Sequence, residues 1–238
     1  MFKKHKKRIW IPHHVILEFQ NRRLNVIADQ KSTFEKTKLL IDNKYQKFEA
    51  ELNKTLPTNR HNLIDTTEFL NKFKSIKDNF LENLDKLEEK QIDVHNDDLI
   101  RDELENILKN NMGEPPQDQK EIDNLYADGE KRYKQFIPPG YMDEDKDKEP
   151  YPIYTYGGIV YKRKFGDLVV WKQIIEYASK NNIKNIIFIP DDTKEDWFYE
   201  IKSQTIGTRP ELIDEIQREA DVEMFHLYKP DRFLEYAN

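Results

Sequence analysis

The chain reads as an α/β fold interrupted by a long, charged helical segment, and three observations point there. Ile186-Ile187-Phe188-Ile189 is an uninterrupted apolar run, as a strand buried on both faces requires. On either side of it lie amphipathic helical patterns, Leu168, Trp171, Ile174, Ile175 and Ala178 before it, and Leu212, Ile213, Ile216 and Ala220 after it. Between about residues 31 and 112 the pattern changes to apolar positions every three or four residues among Lys, Glu, Asp and Gln.

Taken in order, Arg8-Ile9-Trp10-Ile11 has the composition of a short buried strand, stopped by Pro12, a residue suited to a helix's first turn. Val15, Ile16, Leu17, Phe19, Leu24, Val26 and Ile27 then recur at helical spacing to about residue 29. His13 and His14 fall at that helix start, and the six His of the chain show no zinc-ligand spacing.

In the charged segment, Phe34, Leu39, Leu40, Tyr45, Phe48 and Leu52 predict one helix, which Leu56-Pro57-Thr58-Asn59 ends. Phe69, Phe73, Ile76, Phe80, Leu84 and Leu87 predict a second, started by a capping pattern at Asp65-Thr66-Thr67-Glu68. A third covers about Asp97 to Lys109. The bland reading, packing seams with wetted outer faces, outweighs the reading of this region as an arm for a protein or nucleic acid.

Gly113-Glu114-Pro115-Pro116 marks a boundary, followed by a helix over Glu121 to Gln135 and an irregular tract from Ile137 to Pro150. Asp143, Asp145 and Asp147 have superficially calcium-like spacing, but the glycine and closing glutamate of an EF-hand loop are absent. Asp167 opens the next helix, and Val222 to Tyr228 predicts a final strand before a closing helical turn at Pro230 to Tyr236.

Composition narrows the function. There is no Cys, which excludes disulfides, thiolate metal sites and a cysteine nucleophile, and fits a reducing cytoplasm. No stretch of about 18 apolar residues exists to span a membrane. The net charge of −6 argues against a protein that coats nucleic acid over its whole surface, while leaving room for a local basic rim. Only 7 Gly are present and no Gly-rich phosphate loop.

Chemistry concentrates on carboxylates at element ends. In an open α/β sheet, ligands bind outside the carboxyl ends of the strands, where Asp167 and the Asp191-Asp192 pair are expected to meet, with Glu18 arriving from the first helix. Asp167 taken alone is better explained as a helix cap, and Asp191 and Asp192 as caps of a helix containing Asp196 and Trp197. As a set these carboxylates suit two-metal phosphodiester hydrolysis, in which ions about 3.5–4 Å apart activate a water and stabilise the leaving oxygen.

Five segments, Ile9 to Arg23, Pro138 to Asp143, Phe165 to Ile174, Phe188 to Trp197 and Gly207 to Glu215, resemble the PIN-like nuclease domains of bacteria. The Gly166-Asp167-Leu168 helix start and the Asp191-Asp192-Thr193-Lys194-Glu195-Asp196-Trp197 turn are the more specific parts. The resemblance implies a Rossmann-like three-layer α/β/α sandwich formed by residues 1–30 and 113–238, with 31–112 as a helical hairpin or bundle inserted into it. It also implies a Mg²⁺- or Mn²⁺-dependent phosphodiesterase, most often acting on RNA, and a role as a toxin or defence effector. Glu18, Asp167 and Asp192 match the family's catalytic and metal-binding carboxylates; Asp191 and Asp196 are neighbours able to join the metal site. Arg22, Lys164, Lys172 and Lys194 are the candidates for phosphate contact.

The family opens with a strand that ends in an Asp-Thr-Asn-type motif, whose aspartate is a primary metal ligand. No counterpart precedes Trp10, so the expectation is an N-terminally truncated domain with a weakened site. The competing expectation is a catalytically inactive binding module acting through residues 31–112 on a protein partner; a homodimer is a separate expectation.

Overall fold

A computed structural model of the chain describes residues 8–56, 64–95, 97–191, 194–202 and 204–237. In chain order these residues form α1 (His13–Thr55), α2 (Thr67–Glu88), α3 (Leu99–Leu108), α4 (Gln119–Lys134), a 3-10 helix (Tyr141–Lys148), β1 (Ile153–Tyr156), β2 (Ile159–Lys162) and a short 3-10 turn (Arg163–Phe165). They continue with α5 (Gly166–Asn181), β3 (Asn185–Phe188), β4 (Phe198–Ile201), β5 (Gln204–Thr208), α6 (Pro210–Ala220), β6 (Met224–Leu227) and α7 (Pro230–Ala237). The chain divides into two compact units, residues 1–18 with 103–238, and residues 19–102.

The larger unit is mixed α/β. Its described strands make three two-stranded pairs: antiparallel β1–β2, parallel β3–β6 and antiparallel β4–β5. Two apolar clusters fill it. One joins Trp171, Ile174, Ile175 and Ala178 of α5 to Trp197, Phe198, Leu212, Ile216, Val222, Phe225 and Leu227. The other joins Phe165, Leu168 and Val169 to Leu17 of α1, Ile122, Tyr126 and Tyr133 of α4, and Ile159 and Tyr161 of β2. Helix α5 therefore contributes to both clusters, which is why its apolar positions run nearly all round its first three turns.

The flanking helices follow simple rules. In α4 the stripe Ile122, Tyr126, Gly129 and Tyr133 is buried at spacings of three and four. Its start is fixed by Asp118, whose side chain accepts the backbone N–H of Glu121 at 2.9 Å. In α6, Pro210 occupies the first turn and Leu212, Ile216 and Ala220 form the buried stripe. β6 alternates, with Phe225 and Leu227 inward and Met224 and His226 outward.

Several expectations change. Arg8 to Ile11 forms no strand; Ile11 makes a single parallel bridge to Met112, because only its own N–H and C=O reach a neighbouring segment, at Asn111 and Gly113. β3 is not buried on both faces, since Ile187 is 49% exposed and, among the described residues, the strand pairs only with β6. The tract after Ile137 is not irregular throughout: Tyr141 to Lys148 winds as a 3-10 helix. Residues 195–197 make a turn into β4 rather than a helix, so Asp191 caps no helix there, and Asp192 lies outside the described residues. The β1–β2 hairpin was legible but missed: Gly157 and Gly158, at φ 58° and 80°, supply the positive-φ two-residue loop that such hairpins prefer.

In the second unit, α1 runs unbroken through residue 31, and α1 and α2 lie antiparallel. The pairs Lys38–Glu88 (2.5 Å), Lys77–Asp42 (2.8 Å), Tyr45–Phe73 (5.6 Å) and Phe48–Phe69 (6.1 Å) ascend on one helix as they descend on the other. Asp98 clamps the far end by accepting from Arg23 at 2.5 Å. The helix start at Thr67 uses Asp65, whose carboxylate accepts the Thr67 N–H at 2.8 Å, while Thr66 makes no side-chain cap.

Candidate active site at the start of α5

Gly166 is the point around which the site is built. A Cβ there would come within 3.2 Å of Glu18 Oε1 and 3.6 Å of His14 Nε2, so a larger residue would press on the Glu18 carboxylate where α1 meets α5. His14 is buried, and its backbone N–H donates to Gln173 Oε1 at 3.0 Å, fixing α1 against α5. Burial, reinforced by neighbouring His13, pulls the His14 pKa down to about 4. Its 3.9 Å approach to Glu18 is therefore a contact between a neutral imidazole and a carboxylate at neutral pH, not an ion pair. Glu18 is 39% exposed.

Asp167 lies in the first turn of α5, beyond the N-cap residue Phe165, so its carboxylate is not the cap that local sequence suggests. Across from it stands Asp143, on the 3-10 helix and 4% exposed. Lys194 connects them: its Nζ lies 2.6 Å from Asp143 Oδ1 and 3.8 Å from Asp167 Oδ2. The second Asp143 oxygen accepts from Lys146 at 2.5 Å.

The loop that delivers Asp143 is held from below. Asp196, fully buried, accepts the backbone N–H of Gly140 at 2.8 Å and of Met142 at 3.3 Å. Burial raises the Asp196 pKa, against the pull of those two N–H groups. Gly140, at φ 96°, packs against the Tyr133 hydroxyl, and a Cβ there would sit 2.3 Å from it. Tyr133 donates to the Lys164 carbonyl at 2.8 Å; its pKa is pushed up first by burial and then by Asp167, Asp143 and Asp196.

Asp191 is exposed after β3, and Asp192 lies outside the described residues. Of the basic candidates, Lys164 is buried and paired with Glu130 and Asp147, both at 2.7 Å. Lys172 pairs with Glu215 at 2.7 Å and Glu219 at 3.0 Å. Both ammonium groups face protein carboxylates. Arg22 is exposed on α1, in the second unit. Lys194 belongs to the aspartate cluster itself.

Sequence reasoning missed Asp143, which it weighed only for calcium-like spacing, although Pro138 to Asp143 is among the segments that carry the family resemblance. Among the described residues no three acidic or histidine side chains are arranged to hold a metal ion. Asp143 and Asp167 carry carboxylate oxygens, the donor type that hard divalent cations take, and both flank the Lys194 ammonium. Surface clefts of about 520 and 550 Å³ lie elsewhere, along α4 and α5 and beside α6, and neither includes Asp143, Asp167 or Lys194.

The chain matches the family described as PIN like domain over residues 1–212, a span that takes in the long helices as well as the acidic cluster. It belongs to the PIN-like domain family. No curated protein and no solved structure matches it. No helix among the described residues of this PIN-like protein is long and apolar enough to cross a membrane.

Proposed function

We propose that this PIN-like protein is a Mg²⁺- or Mn²⁺-dependent nuclease that hydrolyses phosphodiester bonds of RNA, with Glu18, Asp143, Asp167 and Asp192 holding the ion. The observation that carries this reading is the pair of carboxylates, Asp143 and Asp167, turned toward one ammonium group at the first turn of α5. When bound, a divalent ion supplies an acidified water as nucleophile and charge to stabilise the departing oxygen.

The chain's own residues do the rest. Asp196 keeps Asp143 in place through the Gly140 and Met142 amides. Gly166 leaves room for the Glu18 carboxylate at the start of α5. The N-terminus of α5 adds partial positive charge, which favours an incoming phosphate. Under the same reading, the parallel β3–β6 pair with α5 and α6 belongs to a Rossmann-like three-layer arrangement, residues 31–112 are its helical insertion, and Arg22 contributes phosphate contact.

The test is cleavage of single-stranded RNA by the full chain with Mg²⁺ or Mn²⁺ added or chelated. Cleavage should require the ion and fall at least about 100-fold in Asp167→Asn and in Asp143→Asn. Undiminished cleavage in Asp167→Asn overturns the assignment. A second reading, an inactive PIN-like module acting through its helical unit, is favoured by the exposure of Leu39, Leu40, Ile76 and Leu87, each more than half exposed. It becomes the better one if the chain neither cleaves RNA nor binds a divalent ion at millimolar concentration.

A further inference from the structure

The Lys194 ammonium stands between two carboxylates, 2.6 Å from Asp143 Oδ1 and 3.8 Å from Asp167 Oδ2. We infer that Lys194 is a resident counter-ion which the divalent ion must displace, so that this side chain sets how tightly the site takes its metal. This rests on the metal-dependent reading above and goes beyond it by giving Lys194 a role other than phosphate contact.

Three features support displacement. First, the Lys194 ammonium makes a charge-assisted contact of 2.6 Å to Asp143 and lies 3.8 Å from Asp167, so it engages both carboxylates from one position. A divalent cation bound to the same oxygens would stand within a few ångströms of that ammonium, and the repulsion between the two makes each weaken the other's hold.

Second, the two partners differ in burial. Asp143 is 4% exposed, whereas the Lys194 side chain is 30% exposed and carries its charge on a flexible four-carbon stem. The carboxylate is fixed while the ammonium has a route to water. Third, Asp143 carries a second ammonium, Lys146, on its other oxygen at 2.5 Å. A buried carboxylate is costly without compensation, and Lys194 supplies part of that compensation whenever the ion is absent.

The test uses the full chain as wild type, Lys194→Met and Lys194→Arg, titrated with Mn²⁺ alone by calorimetry and by the loss of free Mn²⁺ signal in electron paramagnetic resonance. Methionine keeps the length of the side chain and removes its charge; arginine keeps the charge. Lys194→Met should bind Mn²⁺ on the order of tenfold more tightly than wild type, the change expected when one charge-assisted hydrogen bond no longer has to be broken. Lys194→Arg should not bind more tightly than wild type. Thermal melting gives a second reading: ion-free Lys194→Met should melt below wild type, and saturating Mn²⁺ should close the gap.

Equal affinity in wild type and Lys194→Met, with both folded by circular dichroism, overturns displacement and leaves the nuclease assignment standing. Weaker binding in Lys194→Met also overturns it, by showing that the ammonium orders the carboxylates for the ion. Absence of Mn²⁺ binding in all three proteins overturns the metal site itself together with the displacement.

Discussion

Gly129 shows how much of this protein rests on single atoms. A Cβ on it would lie 2.6 Å from the Phe165 ring and 2.9 Å from Leu168, both fully buried. The ring stacks on Tyr126 at 4.8 Å between centroids, so it has nowhere to retreat. Gly129→Ala should destabilise the larger unit by about 1–3 kcal/mol through overpacking, read as a lower urea midpoint with an unchanged slope. From sequence alone, a glycine inside a helix registers only as a weak position; its value comes from a ring 36 residues away in the chain. Asp196 teaches the same lesson in polar terms. Its residue type suits a metal ligand, yet its Oδ2 is occupied by two loop amides, and no local pattern announces that a distant loop needs an acceptor.

Between elements, the ties of α4, α5 and α6 converge on Glu215. Arg132 of α4 donates to it twice, at 2.7 and 2.8 Å; Trp171 of α5 donates at 2.8 Å and Lys172 at 2.7 Å. Burial works to raise the Glu215 pKa, but the hydrogen bonds from Arg132, Lys172 and Trp171 outweigh it and hold it at about 2. Arg132 also donates to the Pro138 carbonyl, which begins the loop carrying Asp143. Glu215→Leu leaves Arg132 buried without its carboxylate and should cost about 3–5 kcal/mol in equilibrium unfolding, the range for breaking one partner of a buried ion pair. The three helices were each legible from their periodicity. Their tie was not, because Glu215 looks in sequence like any other charged residue between Leu212 and Ile216.

At the scale of the whole molecule, two buried groups make the largest resolved contributions to the acid response. His14 titrates near 4 when folded against an ordinary 6.5. The unfolded chain therefore binds more protons between those values, and stability falls as pH drops through that window. Glu215 is depressed from 4.5 to about 2. Its contribution is complete above pH 4.5 and is lost as pH falls from there toward 2. Urea unfolding across this range should show two successive losses, and His14→Gln should flatten only the one above pH 4.

The amino-acid order by itself determined most of the helices and the family, since periodicity, Pro and Gly placement and short motifs act over a few neighbouring residues. It placed Glu18 beside the first helix's apolar side and Asp167 at the start of α5, and in the structure Glu18 Oε1 would lie 3.2 Å from a Cβ on Gly166, the residue before Asp167. Only the tertiary structure decided that Asp143 faces Asp167 across Lys194, that Lys164 and Lys172 are turned toward protein carboxylates, and that β3 pairs with β6 alone among the described strands. Those outcomes depend on which segments pack together and on which charges burial forces to find partners, and that choice is made across long separations in the chain, beyond the reach of local pattern.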